Sequence, residues 1–281
     1  MKLKKLAAIA LAAATVATVA SFASCSEDKQ KLKVIEYTLT EEKYAFAVNE
    51  GNTAMKDSAN AYLTQIKGNG TFDAIVKKYE DNDESKFVGN PVGTGDPSAN
   101  ALVVLTNTPF GQYEYVGDDG KYYGIDMEIA AGFAAYLEKD LYIKEWTDFD
   151  TILNQFTTYP DAIVMAGLSI TEDREKIVDF TQEYITTGQA IIALSSDTTF
   201  DSCKSIDDVT EKLASLSGKK VGYQNGTTAG IFLDDYKTVV TATGYKTGVL
   251  AAQALLNGSV DYVVIDKSPA QSIVAQLNKI S

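Results

Sequence analysis

The chain has 281 residues, room for two α/β lobes of ordinary size rather than one small domain. Hydrophobic residues make up 45% and charged residues 22%, the balance of a globular protein with a solvated surface. A net charge of −13 repels phosphate backbones and excludes nucleic acid as a partner, and no motif calls for a metal or a cofactor.

Residues 1–24 read as a secretory signal peptide. Lys2, Lys4 and Lys5 form a basic start, and Leu6 to Ala20 is an apolar run, short for a membrane span. Phe22-Ala23-Ser24 then leads into Cys25. Small residues directly before a cysteine resemble a bacterial lipoprotein box, which implies a diacylglyceryl group on the Cys25 sulfur and cleavage before it. An ordinary signal peptide that happens to contain a cysteine is the alternative. Residues 25–30 would then be the lipidated cysteine and its polar tether, and lipid would be the only membrane anchor. Cys203 is the one other cysteine. With Cys25 lipidated no intrachain disulfide is possible, and Cys203 reads as a half-buried, inert thiol.

From residue 31 the spacing predicts short strands over 33–37 and 44–48 and helices over 53–66 and 71–79, separated by Gly68-Asn69-Gly70. Residues 81–100, with an acidic run and then Gly89, Pro91, Gly93, Gly95 and Pro97, have the composition of a linker. On composition alone, 31–80 reads as a small N-terminal domain. Beyond 100, strands and helices alternate. Apolar runs at 101–105, 162–166, 190–194, 220–223 and 260–265 predict strands. Ile129, Phe133 and Leu137 give one helix a buried face, with Asp126 able to cap it, and 247–256 predicts another helix. Such alternation argues for parallel sheets with crossover helices, whose ligands sit beyond the carboxyl ends of strands.

One residue stands out in that position. Of 25 basic residues only Arg174 is arginine, and it follows the loop at 167–171 after a predicted strand. Its planar fork matches a carboxylate with two parallel hydrogen bonds, where lysine offers a point charge. A surface arginine at a helix start is the plain alternative.

Four stretches in one order carry a resemblance: Phe110-Gly-Gln-Tyr-Glu-Tyr115 with Gly124-Ile-Asp126; Ala166-Gly-Leu-Ser-Ile-Thr-Glu-Asp-Arg174 with Val178-Asp-Phe-Thr181; Val221 to Thr228; and Asp261 to Asp266. Together they resemble the type II periplasmic amino-acid-binding proteins of ABC importers, bacterial solute-binding protein family 3. The family's closing segment does not follow residue 266 to its full length. Residues 39–51 and 70–79 are similar to it instead, so the resemblance implies a circularly permuted α/β chain in which Ser281 stops where Lys31 should continue. Lobe one would be 44–80 plus 101–190, and lobe two 195–281 plus 31–43. Residues 81–100 would be a linker created by the permutation, and crossings near 189–195 and 42–48 would form a two-strand hinge.

The resemblance also implies a site. Arg174 would hold a ligand α-carboxylate, helped by Ser169 and, from the other lobe, by Thr228 at a helix start. Asp266 and the carbonyl of Gly167 would take the α-ammonium, although Asp266 can equally be read as a helix cap. Phe110 and Phe149 would wall the side chain, while each taken alone is an ordinary core residue. Tyr113, Ala166, Leu168 and Thr227 complete the lining. Asn107 stands where members that take basic ligands often carry Asp, and Gln224 adds a neutral group, so a neutral or polar amino acid is favoured. The partners implied are a free amino acid, an ABC permease and an ATPase, with the binding protein a monomer. An enzyme of dehydratase type on the same fold would need a general acid or base in the cleft. A ligand sensor is the third reading.

Overall fold

The computed structural model describes residues 30–280. The expected signal segment and Cys25 lie outside the described residues. Among the described residues, no helix is long and apolar enough to cross a membrane.

The described chain starts in one lobe with β1 (Leu32–Val34), then crosses through β2 (Glu42–Tyr44) into the other with β3 (Ala47–Asn49). Two helices come next, α1 (Thr53–Gly68) and α2 (Thr71–Glu80). Asn52 caps α1 by accepting from the Met55 N–H. Ala59, Tyr62, Leu63 and Ile66 form its buried stripe at helical spacing. Both helices lie on lobe one. Lys56 pairs with Asp179 at 2.7 Å, and Tyr79 donates to Glu128 at 2.7 Å.

The glycine- and proline-containing stretch after α2 is laid against lobe one. Asn90 exchanges backbone hydrogen bonds with Tyr122, and its side-chain amide donates to the Met127 carbonyl at 3.1 Å. A 3-10 turn, Glu84–Lys86, opens this stretch, and the backbone of Asn90 is satisfied by the lobe it covers.

Lobe one continues with β4 (Ala101–Thr106), the small hairpin of β5 (Tyr115–Val116) and β6 (Tyr122–Tyr123), and α3 (Ile125–Tyr136). Then come β7 (Asp140–Glu145), a 3-10 helix Phe149–Thr157, β8 (Ile163–Val164), a 3-10 turn Arg174–Lys176, β9 (Val178–Phe180) and β10 (Ile185–Thr187). Its sheet has the order β7-β4-β8-β3-β9, with β4 parallel to both neighbours and β3 antiparallel to both of its own. The expected capping role of Asp126 fails. Gly124 occupies the cap position of α3, and Asp126 is fully buried one residue inside the helix.

Lobe two holds β11 (Gln189–Leu194), α4 (Ile206–Ala214), β12 (Lys220–Gln224), α5 (Thr228–Asp234), β13 (Thr241–Tyr245), α6 (Gly248–Leu256), β14 (Tyr262–Asp266) and α7 (Lys267–Ile280). The sheet order is β1-β11-β14-β12-β13. Leu32 and Asn278 exchange two hydrogen bonds of 2.8 and 2.9 Å, so β1 closes this lobe beside α7. Between the sheets, β10 and β2 pair antiparallel, Thr187 opposite Glu42 and Ile185 opposite Tyr44. This ladder is the crossing. It begins four residues before the 189 expected from sequence. The chain there is polar and β-branched (Thr186, Thr187), without the apolar run that marks the buried strand after it.

Candidate ligand-binding cleft

The parallel strands of both sheets end toward each other, and the candidate residues come from those ends. Lobe one supplies Asn107 just after β4, Phe110 and Tyr113 from the loop before β5, and Phe149 at the start of its 3-10 helix. Ala166 to Ser169 come after β8, and Arg174 opens the turn before β9. Lobe two supplies Gln224 at the end of β12, Thr227 and Thr228 at the start of α5, and Asp266 at the end of β14.

The loop after β8 has its shape because residue 167 is glycine. Its φ is +52°, and a Cβ there would lie 2.5 Å from the Phe110 ring. The loop thereby packs flat against the aromatic wall and returns to Arg174. The guanidinium donates to the Ser169 carbonyl at 2.6 Å on its own lobe and to the Gly226 carbonyl at 2.9 Å on the other. It lies over the Phe149 ring at 5.6 Å, a cation–π contact. Burial pulls its pKa down to about 10, opposed by Asp266 and then Glu42. Two of its five N–H donors are used this way, which leaves others for a ligand.

Asp266 is buried and accepts from the Tyr44 hydroxyl at 2.5 Å. Burial raises its pKa to about 7, and the charge of Glu42 adds to the rise, while hydrogen bonds from Tyr44 and Gln189 oppose it. The Gln224 amide donates to the Asn107 side chain at 3.1 Å across the lobes, and Asn107 donates to the Trp146 carbonyl at 2.6 Å. Gly226, at φ +75°, lies so close to Asp150 that a Cβ would meet its Cα at 2.5 Å, which keeps the lobes in contact.

Not every expected residue faces the cleft with a free group. The Thr227 hydroxyl is turned to the Gln224 carbonyl at 2.8 Å, and the Leu168 carbonyl is taken by the Ala45 N–H at 3.1 Å. Ala166 and Leu168 are buried in a core cluster with Ala47 and Val178. Tyr113 is buried with its ring edge-on to Tyr44 at 5.2 Å. Cys203 is a free, half-buried thiol away from these residues.

Two residues of the cleft carry no mark in the sequence, Tyr44 and Glu42. Glu42 accepts from Ser169 at 2.7 Å and from Thr228 at 2.6 Å, and it also takes hydrogen bonds from Gln189 and Thr40. In a run of Glu-Glu-Lys-Tyr, Glu42 reads as solvated surface. The usable signal was the period of two. If Tyr44 points inward from a strand, residue 42 points the same way.

The sequence model of the bacterial extracellular solute-binding proteins, family 3, matches residues 102–279. The chain belongs to this family. The L-cystine-binding protein TcyJ of Escherichia coli (strain K12) is 29% identical over 178 residues, covering 63% of this chain and 62% of that one. The match thus spans less than two thirds of that relative's length. Among solved structures, an ancestral arginine-binding protein bound to glutamine is 33% identical with a TM-score of 0.56, covering 64% of this chain and 75% of that one. An ancestral amino acid-binding protein, described as a precursor of cyclohexadienyl dehydratase, is 28% identical at the same TM-score, covering 64% of this chain and 75% of its own. The two-lobed α/β architecture is therefore that of the type II amino-acid-binding proteins.

Proposed function

We propose that this protein captures a free L-amino acid between its lobes outside the cytoplasm and delivers it to an ABC importer. The observation that carries the reading is the pairing of opposite charges across one cleft. Arg174 is held over Phe149 on lobe one, and a buried Asp266 ends the third parallel strand of lobe two. A zwitterion needs that arrangement. Phe110 and Phe149 wall the space, and the Asn107–Gln224 amide pair bounds it without a full charge. A neutral or polar side chain suits such a boundary.

The reading is of a binder rather than an enzyme. Asp126, a buried acid behind the wall, is committed to the Gly167 N–H at 3.0 Å and the Tyr184 hydroxyl at 2.7 Å. It holds the loop in place. Residues 31–80 are read as the family's closing segment moved to the front. Support comes from β3 lying between β8 and β9 in the lobe-one sheet, α1 and α2 lying on that lobe, and a family match that begins only at residue 102. The lipid anchor on Cys25 belongs to the same reading. Cys25→Ala should move the protein from the membrane fraction of its host to the soluble one, and unchanged partition with a cleaved signal would remove the anchor.

The test of the main reading is titration calorimetry on ligand-stripped protein with the twenty L-amino acids. Binding of at least one at about micromolar strength, roughly −8 kcal/mol, is expected. A folded sample that gives no heat with any of them would end it.

A further inference from the structure

In the amino-acid reading of the cleft, the hydroxyls of Ser169 and Thr228 serve the ligand's carboxylate. In the structure both are already donating. Ser169, on lobe one, and Thr228, on lobe two, each place a hydroxyl hydrogen on the same oxygen of Glu42, at 2.7 and 2.6 Å. The other oxygen takes the Gln189 amide at 3.0 Å and the Thr40 hydroxyl at 2.9 Å. A carboxylate supplied by the chain itself thus sits on two of the three side-chain donors that a ligand carboxylate would use.

A hydroxyl has one hydrogen and two lone pairs. Once the hydrogen points at Glu42, the group meets anything else as an acceptor. Gln189 already uses Thr228 in this sense, donating to its hydroxyl oxygen at 3.1 Å. Resting on the amino-acid reading of the cleft, we propose that Glu42 is a specificity-determining residue. It turns Ser169 and Thr228 from carboxylate donors into acceptors, so that the cleft selects its ligand by ammonium groups and leaves Arg174 as the one side chain donating to a carboxylate. The ligand class this favours is the amine-bearing one, including α-amino acids whose carboxylate is blocked as an amide.

Position supports a specific role over a merely structural one. Glu42 belongs to the crossing strand, opposite Thr187, and reaches both lobes from there. Beside it opens a groove of about 570 Å³ lined by Thr40, Ile170, Thr171, Thr228 and Phe232, which offers room for the side chain to turn away or for a blocked carboxyl end to extend.

The experiment compares wild type, Glu42→Ala and Glu42→Gln by calorimetry. The probes are the twenty L-amino acids and, for each that binds, its own carboxamide. In Glu42→Ala the two hydroxyls are released toward the ligand, so the acid form should bind about tenfold tighter. The carboxamide should move less than about threefold, and Glu42→Gln should fall between. That widening of the acid-over-amide ratio is a readout that a loosened fold would not produce. An acid form bound equally or more weakly by the variants, or acid and amide moving together, overturns the role of Glu42 while amino-acid binding stands. Absence of binding in wild type and variants alike removes the reading of the cleft and this inference with it.

Discussion

The two sheets share one layout and use it for opposite charges. Each has three parallel strands with the first in the middle, β7-β4-β8 in lobe one and β13-β12-β14 in lobe two. Each is extended by an antiparallel strand next to the crossing, β3 on one side and β11 on the other. The lobes differ just past the third parallel strand. After β8 the chain turns through a glycine at positive φ and runs on to Arg174. After β14 it enters α7 directly, with Asp266 as the last strand residue. Equivalent strand ends, facing one another, thus present a guanidinium and a carboxylate. The shared layout brings both ends to one cleft, and the residue that each end carries sets its charge.

Breaking either end should have unequal consequences. Arg174→Ala should cost most, because removing one partner of a buried charge pair costs about 2–5 kcal/mol. Calorimetry should show binding weakened at least thirtyfold with the fold retained by circular dichroism. Arg174→Lys keeps the charge and loses the fork, so it should sit between the two. Asp266→Asn should weaken α-amino acids by about 2 kcal/mol and leave their des-amino analogues nearly unchanged. Equal losses for both would detach Asp266 from the ammonium.

The pH dependence sharpens the contrast. Burial raises the Asp266 carboxyl to about 7, so in the ligand-free fold the proton is favoured below that pH. A carboxyl raised in the fold contributes stability below its unfolded value, about 4, that is lost as pH rises through about 7. A ligand ammonium needs the ionised form. Affinity should therefore weaken as pH falls below about 7, by at most about tenfold per unit, and level off above it. Asp266→Asn should flatten the profile. The smallest effect is expected at the Asn107–Gln224 amide pair. Gln224→Ala removes the neutral cross-lobe hydrogen bond to Asn107 and the one donated by the Gly248 N–H within lobe two, each worth about 0.5–1.5 kcal/mol; only the first joins the lobes, so affinity should shift by no more than about tenfold.

The lobe-one half of the site was the more legible, since Ala166 to Arg174 is one continuous stretch closed by a local turn. The crossing residues were not. Glu42 meets Ser169 across 127 positions of sequence, and within the charged run only the period of two counted from Tyr44 marks which acid faces inward. Asp126 misled for a related reason. A carboxyl at a helix start usually caps the helix, but here burial and the Gly167 N–H claimed it. The alternation of strands and helices beyond residue 100 was readable because parallel strands, covered on both faces, are unbroken apolar runs. The boundaries of the crossing were not, because β10 and β2 are three residues each, mix polar with apolar side chains and are only partly buried.

A bound ligand should have its two charges divided between the lobes. The direct measurement is a crystal structure of the protein with an amino acid identified by calorimetry. The α-carboxylate should lie within about 2.7–3.2 Å of the Arg174 guanidinium, with the α-ammonium at the same range from Asp266. A ligand bound elsewhere, or one with its ammonium toward lobe one and its carboxylate toward Asp266, would contradict it.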